Sequence, residues 1–212
     1  MLQEYTIYKI PFEIPQEIIE DFENQLKKAG PIFNTKKNDN KRRQSNLKMT
    51  KSNIPFMTAL NDFLDDVLDL CTRNASNWVL LESKPGCKAQ LAHIDYENTP
   101  ELHACKEVDL PLLVLVSLQP NTSIYVWENS PDVIKGIYKG EPITPTRVSL
   151  DAGDVFVFRA DLVHAGGDYH SHNIRMHCYM DSPAVHRDPN RTFIISKHAS
   201  EDVKKYICEV IS

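Results

Sequence analysis

The C-terminal part of the chain consists of short apolar runs broken by turn-forming residues. From residue 78 onward eight such runs follow one another, separated by Gly, Pro, Asn and Asp: WVLLES, CKAQLAHIDY, DLPLLVLVSLQP, SIYVWENS, TRVSLDAG, DVFVFRA, NIRMHCYMD and RTFIIS. Such runs are typical of β-strands. No helical pattern between them is long enough for the crossover that parallel strands need. The sequence therefore predicts an antiparallel sandwich, barrel or jelly roll.

In the N-terminal part, the spacing of apolar residues changes from that of a strand to that of a helix. Residues 4–10 alternate as a strand does, and residues 15–29 then carry apolar side chains at helical spacing before Gly30 and Pro31. This pattern predicts a strand followed by an amphipathic helix with a Gly-Pro stop. The apolar positions of the helix are Ile18, Ile19, Phe22 and Leu26.

A second helix is predicted after Ser52 or Asn53, either of which can cap it, with Pro55 in its first turn. Its apolar face holds Phe56, Leu60, Phe63, Leu64, Val67, Leu68 and Cys71, and its acidic face holds Asp62, Asp65, Asp66 and Asp69. We interpret the aspartates as a solvated face rather than a metal site, because charge runs usually face water.

Together these patterns predict a single domain of the mainly β class (α+β), in which two or three helices flank a β core. The predicted parts are an N-terminal strand with supporting helices over residues 1–75, the β core over 76–197 and a C-terminal helix over 198–212. A chain of 212 residues is long enough for one substantial hydrophobic core.

Composition narrows the functional classes. The chain has 25% charged and 42% hydrophobic residues, which is ordinary for a globular protein. No apolar run approaches the roughly 20 residues of a membrane helix, so we expect no membrane partner. Five scattered cysteines without a Cys-x-x-Cys pair argue against a disulfide framework or a zinc knuckle. Since the N-terminus also lacks a signal-peptide pattern, we expect an intracellular protein, cytoplasmic or nuclear.

One local excess of positive charge stands out against a net charge of −5. Residues 36–51 hold seven Lys or Arg and one Asp, without apolar periodicity. We interpret this stretch as a solvated, mobile loop. A nuclear-import or nucleic-acid patch is the alternative.

The stretch LAHIDY raises the question of a metal site. Alternation places Leu91, His93 and Asp95 on one face of a predicted strand, so that imidazole and carboxylate project to the same side. Residues 151–167 supply a tight turn, a strand and then His164, held between a short turn and two glycines. Two histidines and one carboxylate can occupy three positions around Fe(II) and leave three open for a bidentate cosubstrate and dioxygen.

Eleven residues after His164 comes Arg175, in a run where Arg175, His177 and Tyr179 share a face. An arginine near such a metal site can pair with the far carboxylate of a 2-oxoacid through two charge-assisted hydrogen bonds, which lysine cannot copy. Arg175 is therefore our candidate for binding the cosubstrate.

The order His93-x-Asp95, then a Gly-Asp-x-x-x-Phe strand leading into His164, then Arg175 resembles the Fe(II)/2-oxoglutarate-dependent oxygenases, and in particular their phytanoyl-CoA dioxygenase-like branch. The resemblance covers about residues 78–195. It implies a double-stranded β-helix, which is a cupin-like jelly roll. It also implies a catalytic iron held by His93, Asp95 and His164, 2-oxoglutarate bound by Arg175, and hydroxylation of a substrate carbon by O2 with release of succinate and CO2.

Two positions refine what the resemblance implies. The family often has a small hydroxyl residue two positions after the arginine, where this chain has His177, so His177 is a cosubstrate-binding candidate that departs from the family pattern. Because Asp95 is present rather than Ala or Gly, the resemblance favours hydroxylation over the halogenating relatives.

Several other polar and aromatic residues have a structural interpretation. A second His-x-Asp pattern, His186-Arg187-Asp188, lies between two prolines after the barrel strands, and we interpret it as a loop. We interpret as loop residues His103, Cys105, His170 and His172. Gln90 and Tyr96 are candidates for lining the cosubstrate or substrate space, whereas Tyr125 and Trp127 are predicted core aromatics.

Two further functions are compatible with the sequence. One is a cupin-like binding scaffold without catalysis, with zinc at the same triad. The other is a nucleic-acid oxygenase that uses residues 36–51 to hold phosphates, although the negative net charge disfavours a polyanionic partner. A small molecule, a lipid thioester and a protein side chain all stay open as substrates, and the sequence predicts no oligomeric state.

Overall fold

Two antiparallel sheets face each other across the core. The structure is a computed structural model that describes residues 3–31, 41–68, 74–188 and 191–210. Its strands are β1 (Tyr5–Lys9), β2 (Gly30–Pro31), β3 (Arg42–Asn46), β4 (Asn74–Ser83), β5 (His93–Ile94), β6 (Leu112–Ser117), β7 (Thr122–Val126), β8 (Thr146–Leu150), β9 (Asp154–Arg159), β10 (His164–Gly166), β11 (Asn173–Asp181) and β12 (Phe193–Ile194). Its helices are α1 (Gln16–Leu26), α2 (Ile54–Leu68), α3 (Pro100–Ala104), α4 (Ser130–Ile134), α5 (Ile195–His198) and α6 (Glu201–Lys204), with a 3-10 turn at Glu107–Asp109.

Seven strands form the larger sheet in the order β1-β9-β6-β11-β4-β3-β2, and five form the smaller sheet in the order β12-β5-β10-β7-β8. The strands pair antiparallel throughout both sheets. The predicted N-terminal strand is β1, which pairs with β9 at one edge of the larger sheet. The prediction of a mainly β jelly roll is confirmed.

The main core lies between the two sheets. Phe156 and Phe158 of β9 and Leu115 of β6 point inward from the larger sheet and meet Val126 of the smaller one. Trp127 is fully buried in this core, and its indole Nε1–H donates to the carbonyl oxygen of Cys208 at 2.7 Å. Trp127 is thus the core aromatic that the sequence predicts.

A second core lies on the outer face of the larger sheet, where α1 and α2 cover it. Phe22 of α1 and Leu60 of α2 are fully buried against Val114 and Val116 of β6 and Met176 of β11. All six residues of β6 are buried as a result, because the sheet has apolar material on both faces. This explains why LLVLVS reads as a continuous apolar run rather than an alternating one.

The two N-terminal helices begin and end close to where the sequence predicts them. Asn53 directly precedes α2, and its Nδ2 donates to Asp21 of α1 at 2.8 Å, which ties the two helices together. The aspartates Asp62, Asp65 and Asp66 are exposed, as predicted for a solvated face. Asp69 and Cys71, which the prediction assigned to the same helix, lie outside the described residues.

The prediction of a mobile loop over residues 36–51 is wrong for its central part. Residues 42–46 form β3, which pairs with β4, and Arg42 is only 1% exposed. The sequence did not reveal this strand, because the residue type alone does not distinguish an arginine that points into the core from one that faces water. Residues 36–40 lie outside the described residues.

The predicted C-terminal helix is much shorter in the structure. Among the described residues near this end, Ile195–His198 and Glu201–Lys204 are helical, four residues each. After them the chain pairs with the segment around Ile143, whose N–H donates to Tyr206 O at 2.7 Å and whose carbonyl accepts from Cys208 N–H at 3.1 Å. These backbone bonds replace the helical ones, and Ile207 is buried in the core.

The strand predicted over residues 87–96 is also shorter, since only His93–Ile94 forms β5. Leu91 is 47% exposed, so it does not share the buried face of His93 as alternation predicted. His164, which the sequence places between a short turn and two glycines, is the first residue of strand β10. Within the described part of the chain, every helix is too short or too polar to cross a membrane.

Candidate metal centre

Strands β5 and β10 bring three predicted ligands together. His93 and His164 are register partners across these strands, and their ring centroids lie 4.5 Å apart. Asp95 follows β5 directly, with Oδ1 3.8 Å from His93 Nε2 and Oδ2 3.8 Å from His164 Nε2. All three ligand atoms lie within 4.8 Å of one another, and both histidines are buried. This spacing suits a single ion between them.

The backbone fixes the orientation of both imidazoles. The Nδ1 atom of His93 lies 2.7 Å from Leu91 O, and the Nδ1 atom of His164 lies 3.0 Å from Leu162 O. Because a carbonyl oxygen only accepts, Nδ1 carries the proton in each ring. The Nε2 lone pair of each histidine is therefore left for a metal, as in proteins whose metal-binding histidines are held by an outer hydrogen bond.

Burial and neighbouring charges shift the pKa values of His164 and Asp95 in the directions that favour metal binding. Burial lowers the pKa of His164 to about 3, and the nearby His93 adds to this against the opposite effect of Asp95. Burial by itself would raise the pKa of Asp95, but His164, His93 and His177 outweigh it and hold that pKa below its usual value. A neutral imidazole and an ionised carboxylate are the forms that coordinate a divalent cation.

The turn that delivers His164 is anchored by a buried carboxylate. Asp161 is fully buried and accepts two hydrogen bonds from Arg159, at 2.9 and 2.8 Å, with Lys135 Nζ at 3.4 Å. Ser130 Oγ accepts from the N–H of Val163 at 2.8 Å. These contacts fix the backbone just before His164, including the carbonyl that orients its ring.

Arg175 lies on the inner face of β11, where the sequence places it. It is 3% exposed, and its Nη1 donates to Ser83 Oγ of β4 at 3.0 Å. The guanidinium carbon lies 5.1 Å from the centre of the Tyr169 ring. Among the described residues, Arg175 has no carboxylate within ion-pair distance. A buried guanidinium in this state favours an anionic ligand, because an uncompensated buried charge is costly.

A second arginine, Arg42, shares the Ser83 hydroxyl with Arg175, and sequence reasoning missed it. Its Nη2 donates to Lys88 O at 2.6 Å and to Gly167 O at 2.5 Å, and its Nη1 donates to Ser83 Oγ at 3.3 Å. Ser83 thus accepts from both arginines and keeps its own hydroxyl proton for another acceptor. No local pattern marks Ser83. The pairing of β4 with β3 on one side and with β11 on the other brings it to both arginines.

His177 and Tyr179 continue the inner face of β11 from Arg175 toward the triad. Tyr179 donates its hydroxyl to Asp95 Oδ2 at 3.2 Å, and the rings of His177 and Tyr179 meet edge to face at 4.7 Å. Burial lowers the pKa of His177 to about 4, so its imidazole is neutral at physiological pH. His177 therefore lies between the candidate cosubstrate arginine and the triad, as a neutral hydrogen-bonding group.

The other residues singled out in the sequence have structural contacts. Gln90 Oε1 accepts from the N–H of Gly166 at 2.9 Å, and Tyr96 is fully buried and donates to Asp181 Oδ1 at 2.6 Å. Neither contact reaches the triad. The loop prediction is wrong for His103, which lies in α3 and contacts Asn98. His172 lies 3.0 Å from Glu82, and the side chains of His170 and His186 are exposed. Cys105 and Tyr125 are half-buried.

Comparison with known proteins gave one match in sequence. No family model matches the chain. The chain is 39% identical over 102 residues to the iron/α-ketoglutarate-dependent dioxygenase ausU of Aspergillus calidoustus, a match that covers 44% of this chain and 33% of that protein. The chain thus spans about one third of the length of this curated relative.

Solved structures share the fold over most of the chain. The non-heme α-ketoglutarate-dependent epimerase SnoN from nogalamycin biosynthesis superposes with a TM-score of 0.60 at 15% identity, over 89% of each chain. A prolyl hydroxylase from Trichoplax adhaerens, in complex with a hypoxia inducible factor peptide fragment, gives a TM-score of 0.57 at 11% identity, over 84% of each chain. The chain therefore shares the fold of these structures. The predicted resemblance to an iron/α-ketoglutarate-dependent dioxygenase is confirmed in sequence over 102 residues, and the phytanoyl-CoA dioxygenase-like branch stays a prediction.

Proposed function

We propose that this chain is an Fe(II)/2-oxoglutarate-dependent dioxygenase that hydroxylates a substrate carbon. The observation that carries the proposal is the juxtaposition of two elements inside one barrel. One is the triad of His93, Asp95 and His164, whose free nitrogens and carboxylate converge within 4.8 Å. The other is Arg175, a buried guanidinium on the facing strand β11. A plain ligand-binding scaffold needs neither an ionised carboxylate beside two oriented imidazoles nor a buried arginine.

The donor set of the triad fits Fe(II), for which two histidines and one carboxylate leave open positions. When bound, iron together with 2-oxoglutarate and O2 supplies the oxidising chemistry that releases succinate and CO2 and leaves a hydroxyl on the substrate. The chain itself contributes the orientation of three ligands, their protonation state and a buried site. Leu91 O and Leu162 O orient the two rings by accepting from Nδ1.

Arg175 and Ser83 are proposed to receive the distal carboxylate of 2-oxoglutarate. Arg175 offers the fork of donors, and the Ser83 hydroxyl offers one more, because both arginines already donate to its oxygen. Ser83 would take the part of the small hydroxyl residue that the family often has where this chain has His177. His177 would then face the cosubstrate between its two ends as a neutral hydrogen-bonding group.

The substrate is proposed to be a small molecule or a protein side chain. The structural relatives include an epimerase from nogalamycin biosynthesis and a prolyl hydroxylase with a peptide fragment, so the fold serves both kinds. A nucleic-acid substrate is disfavoured by the net charge of −5 and by the burial of Arg42, which removes one cation from the basic stretch.

Binding of 2-oxoglutarate tests the proposal without a known substrate. Metal-free protein loaded with Mn(II) is titrated with 2-oxoglutarate under anaerobic conditions by calorimetry. We expect binding that requires the metal, and a loss of at least about ten-fold in affinity for Arg175→Leu, since one charge-assisted pair is worth about 1.5–3 kcal/mol. Arg147→Leu is the matched control, because this arginine lies at the surface, 43% exposed, and pairs with Asp168.

Two results would contradict the proposed dioxygenase function. Equal 2-oxoglutarate affinity in Arg175→Leu and Arg147→Leu would remove the cosubstrate assignment. Succinate formation from 2-oxoglutarate that persists at the wild-type rate in Asp95→Ala would remove the triad assignment.

A further inference from the structure

The segment His186-Arg187-Asp188 brings a buried arginine to the metal centre. His186 and Asp188 are exposed, as a loop requires, but the Arg187 side chain is only 6% exposed. Its guanidinium carbon lies 3.6 Å from the centre of the Tyr179 ring, which is close stacking contact. The triplet is a loop, as predicted, but its central side chain is buried.

A carboxylate fixes the plane of the Arg187 guanidinium. Its Nε and Nη2 donate to Oδ1 and Oδ2 of Asp181 at 3.0 and 3.2 Å, a two-pronged pairing with defined geometry. Asp181 Oδ1 also accepts from the Tyr96 hydroxyl at 2.6 Å. Tyr179 and Asp181 lie two residues apart on β11 and so project from the same face. The guanidinium is thereby held over the face of the Tyr179 ring.

Tyr179 connects this stack to a ligand of the triad. Its hydroxyl donates to Asp95 Oδ2 at 3.2 Å, whereas Oδ1 of the same carboxylate lies 3.8 Å from His93 Nε2. Asp95 lies at the end of a two-residue strand, where little backbone pairing fixes its side chain. A donor on Oδ2 therefore sets the rotation of the carboxylate and the direction of its lone pairs. Outer hydrogen bonds of this kind orient metal ligands in other proteins.

We propose that Tyr179 and Arg187 are positioning residues that hold the Asp95 carboxylate ready for a divalent cation, with Arg187 acting through the ring of Tyr179. The proposal rests on the proposed function in one respect, namely that the triad binds a metal. Arg187 contributes the planar cation that keeps the phenol ring in place by attraction to its face. Lysine could not replace it, because an ammonium group can neither stack nor pair in the two-pronged manner.

The chain contains a matched control for this arrangement. Tyr125 donates its hydroxyl to Asp168 Oδ1 at 3.0 Å, and Arg147 lies 5.8 Å from the centre of the Tyr125 ring and pairs with the same carboxylate. This set also brings a tyrosine hydroxyl and an arginine to a carboxylate, although here both reach the same aspartate, and Asp168 is not part of the triad. Tyr125→Phe therefore removes an equivalent hydrogen bond without touching the metal centre.

The test is metal binding by the metal-free full chain, with Fe(II) under anaerobic conditions and Co(II) as a probe whose visible spectrum reports ligand geometry. We expect Tyr179→Phe to raise the Kd for both ions about 10-fold or more and to alter the Co(II) spectrum, while Tyr125→Phe leaves both unchanged. Melting temperatures of the variants separate these effects from general destabilisation.

A double-mutant cycle tests the part of Arg187. We expect Arg187→Met and Arg187→Lys each to raise the Kd several-fold in the wild-type background and to have no further effect in Tyr179→Phe, because the arginine acts through that side chain. If Tyr179→Phe does not fold, the comparison of Arg187→Met with Arg147→Met decides instead.

The outcomes separate this inference from the proposed function. Wild-type protein that binds neither ion would overturn both. Wild-type protein that binds Fe(II) and Co(II), together with a Tyr179→Phe variant of equal affinity and unchanged spectrum, would overturn the positioning role alone. Fully additive effects in the cycle would overturn the action of Arg187 through Tyr179.

Discussion

Replacing Arg42 by Met should destabilise the protein strongly, although this arginine lies in a run that looks like a solvated loop. Arg42 is 1% exposed and connects β3 to two other segments through Lys88 O at 2.6 Å and Gly167 O at 2.5 Å. Methionine keeps most of the aliphatic stem and removes the donors. The perturbation therefore isolates the hydrogen bonds from the packing of the side chain.

The magnitude follows from the groups that lose a partner. Two carbonyl oxygens in or near the interior lose a charged donor, at about 1–3 kcal/mol each, and Ser83 Oγ loses a third, weaker one at 3.3 Å. We expect the free energy of unfolding to fall by about 3–5 kcal/mol. For a chain of this size, about 1 kcal/mol corresponds to about 2–4 °C in Tm, so Tm should fall by about 10 °C.

Urea denaturation followed by circular dichroism measures the change, with Arg43→Met as the control. Arg43 is the next residue of β3, points to the other side, is 35% exposed and lies 3.7 Å from Glu82. A pair with a half-exposed arginine at this distance contributes about 0–1 kcal/mol. Equal losses in the two variants would refute the claim that alternation in β3 buries one arginine and exposes the other.

Three further predictions follow from the site. Ser83→Ala should weaken 2-oxoglutarate about ten-fold in metal-loaded protein, while binding of 2-oxobutyrate, which lacks the distal carboxylate, stays the same in a parallel titration. Asp161→Ala should lower the free energy of unfolding by about 3–5 kcal/mol, because it leaves the buried guanidinium of Arg159 without its carboxylate. Urea denaturation measures the change, and a clearly smaller loss would contradict this role of Asp161. The metal-free protein should lose stability as the pH falls from about 6.5 toward 4: burial lowers the pKa of His164 to about 3 and of His177 to about 4, so the unfolded chain binds more protons in this window. The slope should approach about 1.4 kcal/mol per pH unit for each histidine and decrease in His177→Leu, and a flat pH profile would contradict the burial of these rings.

The sequence predicted correctly those helices and strands whose apolar residues recur at helical or strand spacing within one segment. The apolar stripe of α1 and the inner face of β11 are properties of single elements, so Phe22, Arg175 and His177 were found where the sequence places them. The triad was found for a related reason. His93 and Asp95 are two apart, and His164 follows a strand with a recognisable Gly-Asp start.

Pairing between distant segments accounts for what the sequence did not predict. β10 is three residues long and ends in glycine, so its strand character comes from its neighbours β5 and β7 rather than from its own propensity. The charge of Arg42 masked its strand in the same way. Where the sequence predicts a C-terminal helix, the backbone instead forms hydrogen bonds with the segment around Ile143, because tertiary pairing outweighs a weak helical preference.

The sequence did not predict the burial of Arg187, because its two neighbours in the triplet are exposed and its contacts come from a different segment of the chain. Tyr179 and Asp181 are supplied by β11, and only the return of the loop over that strand brings the guanidinium to the ring. A lone arginine between prolines carries no sequence signal for such a role.

The measurement that tests the central claim most directly is an anaerobic titration of the purified chain with Fe(II) and 2-oxoglutarate, followed by visible absorption. Chelation of Fe(II) by the 2-oxo acid end gives a weak metal-to-ligand charge-transfer band. We predict a band that requires both additions in wild-type protein, weakens in Arg175→Leu and is absent in Asp95→Ala. Folded wild-type protein that gives no band with both additions would contradict the account and favour a binding scaffold.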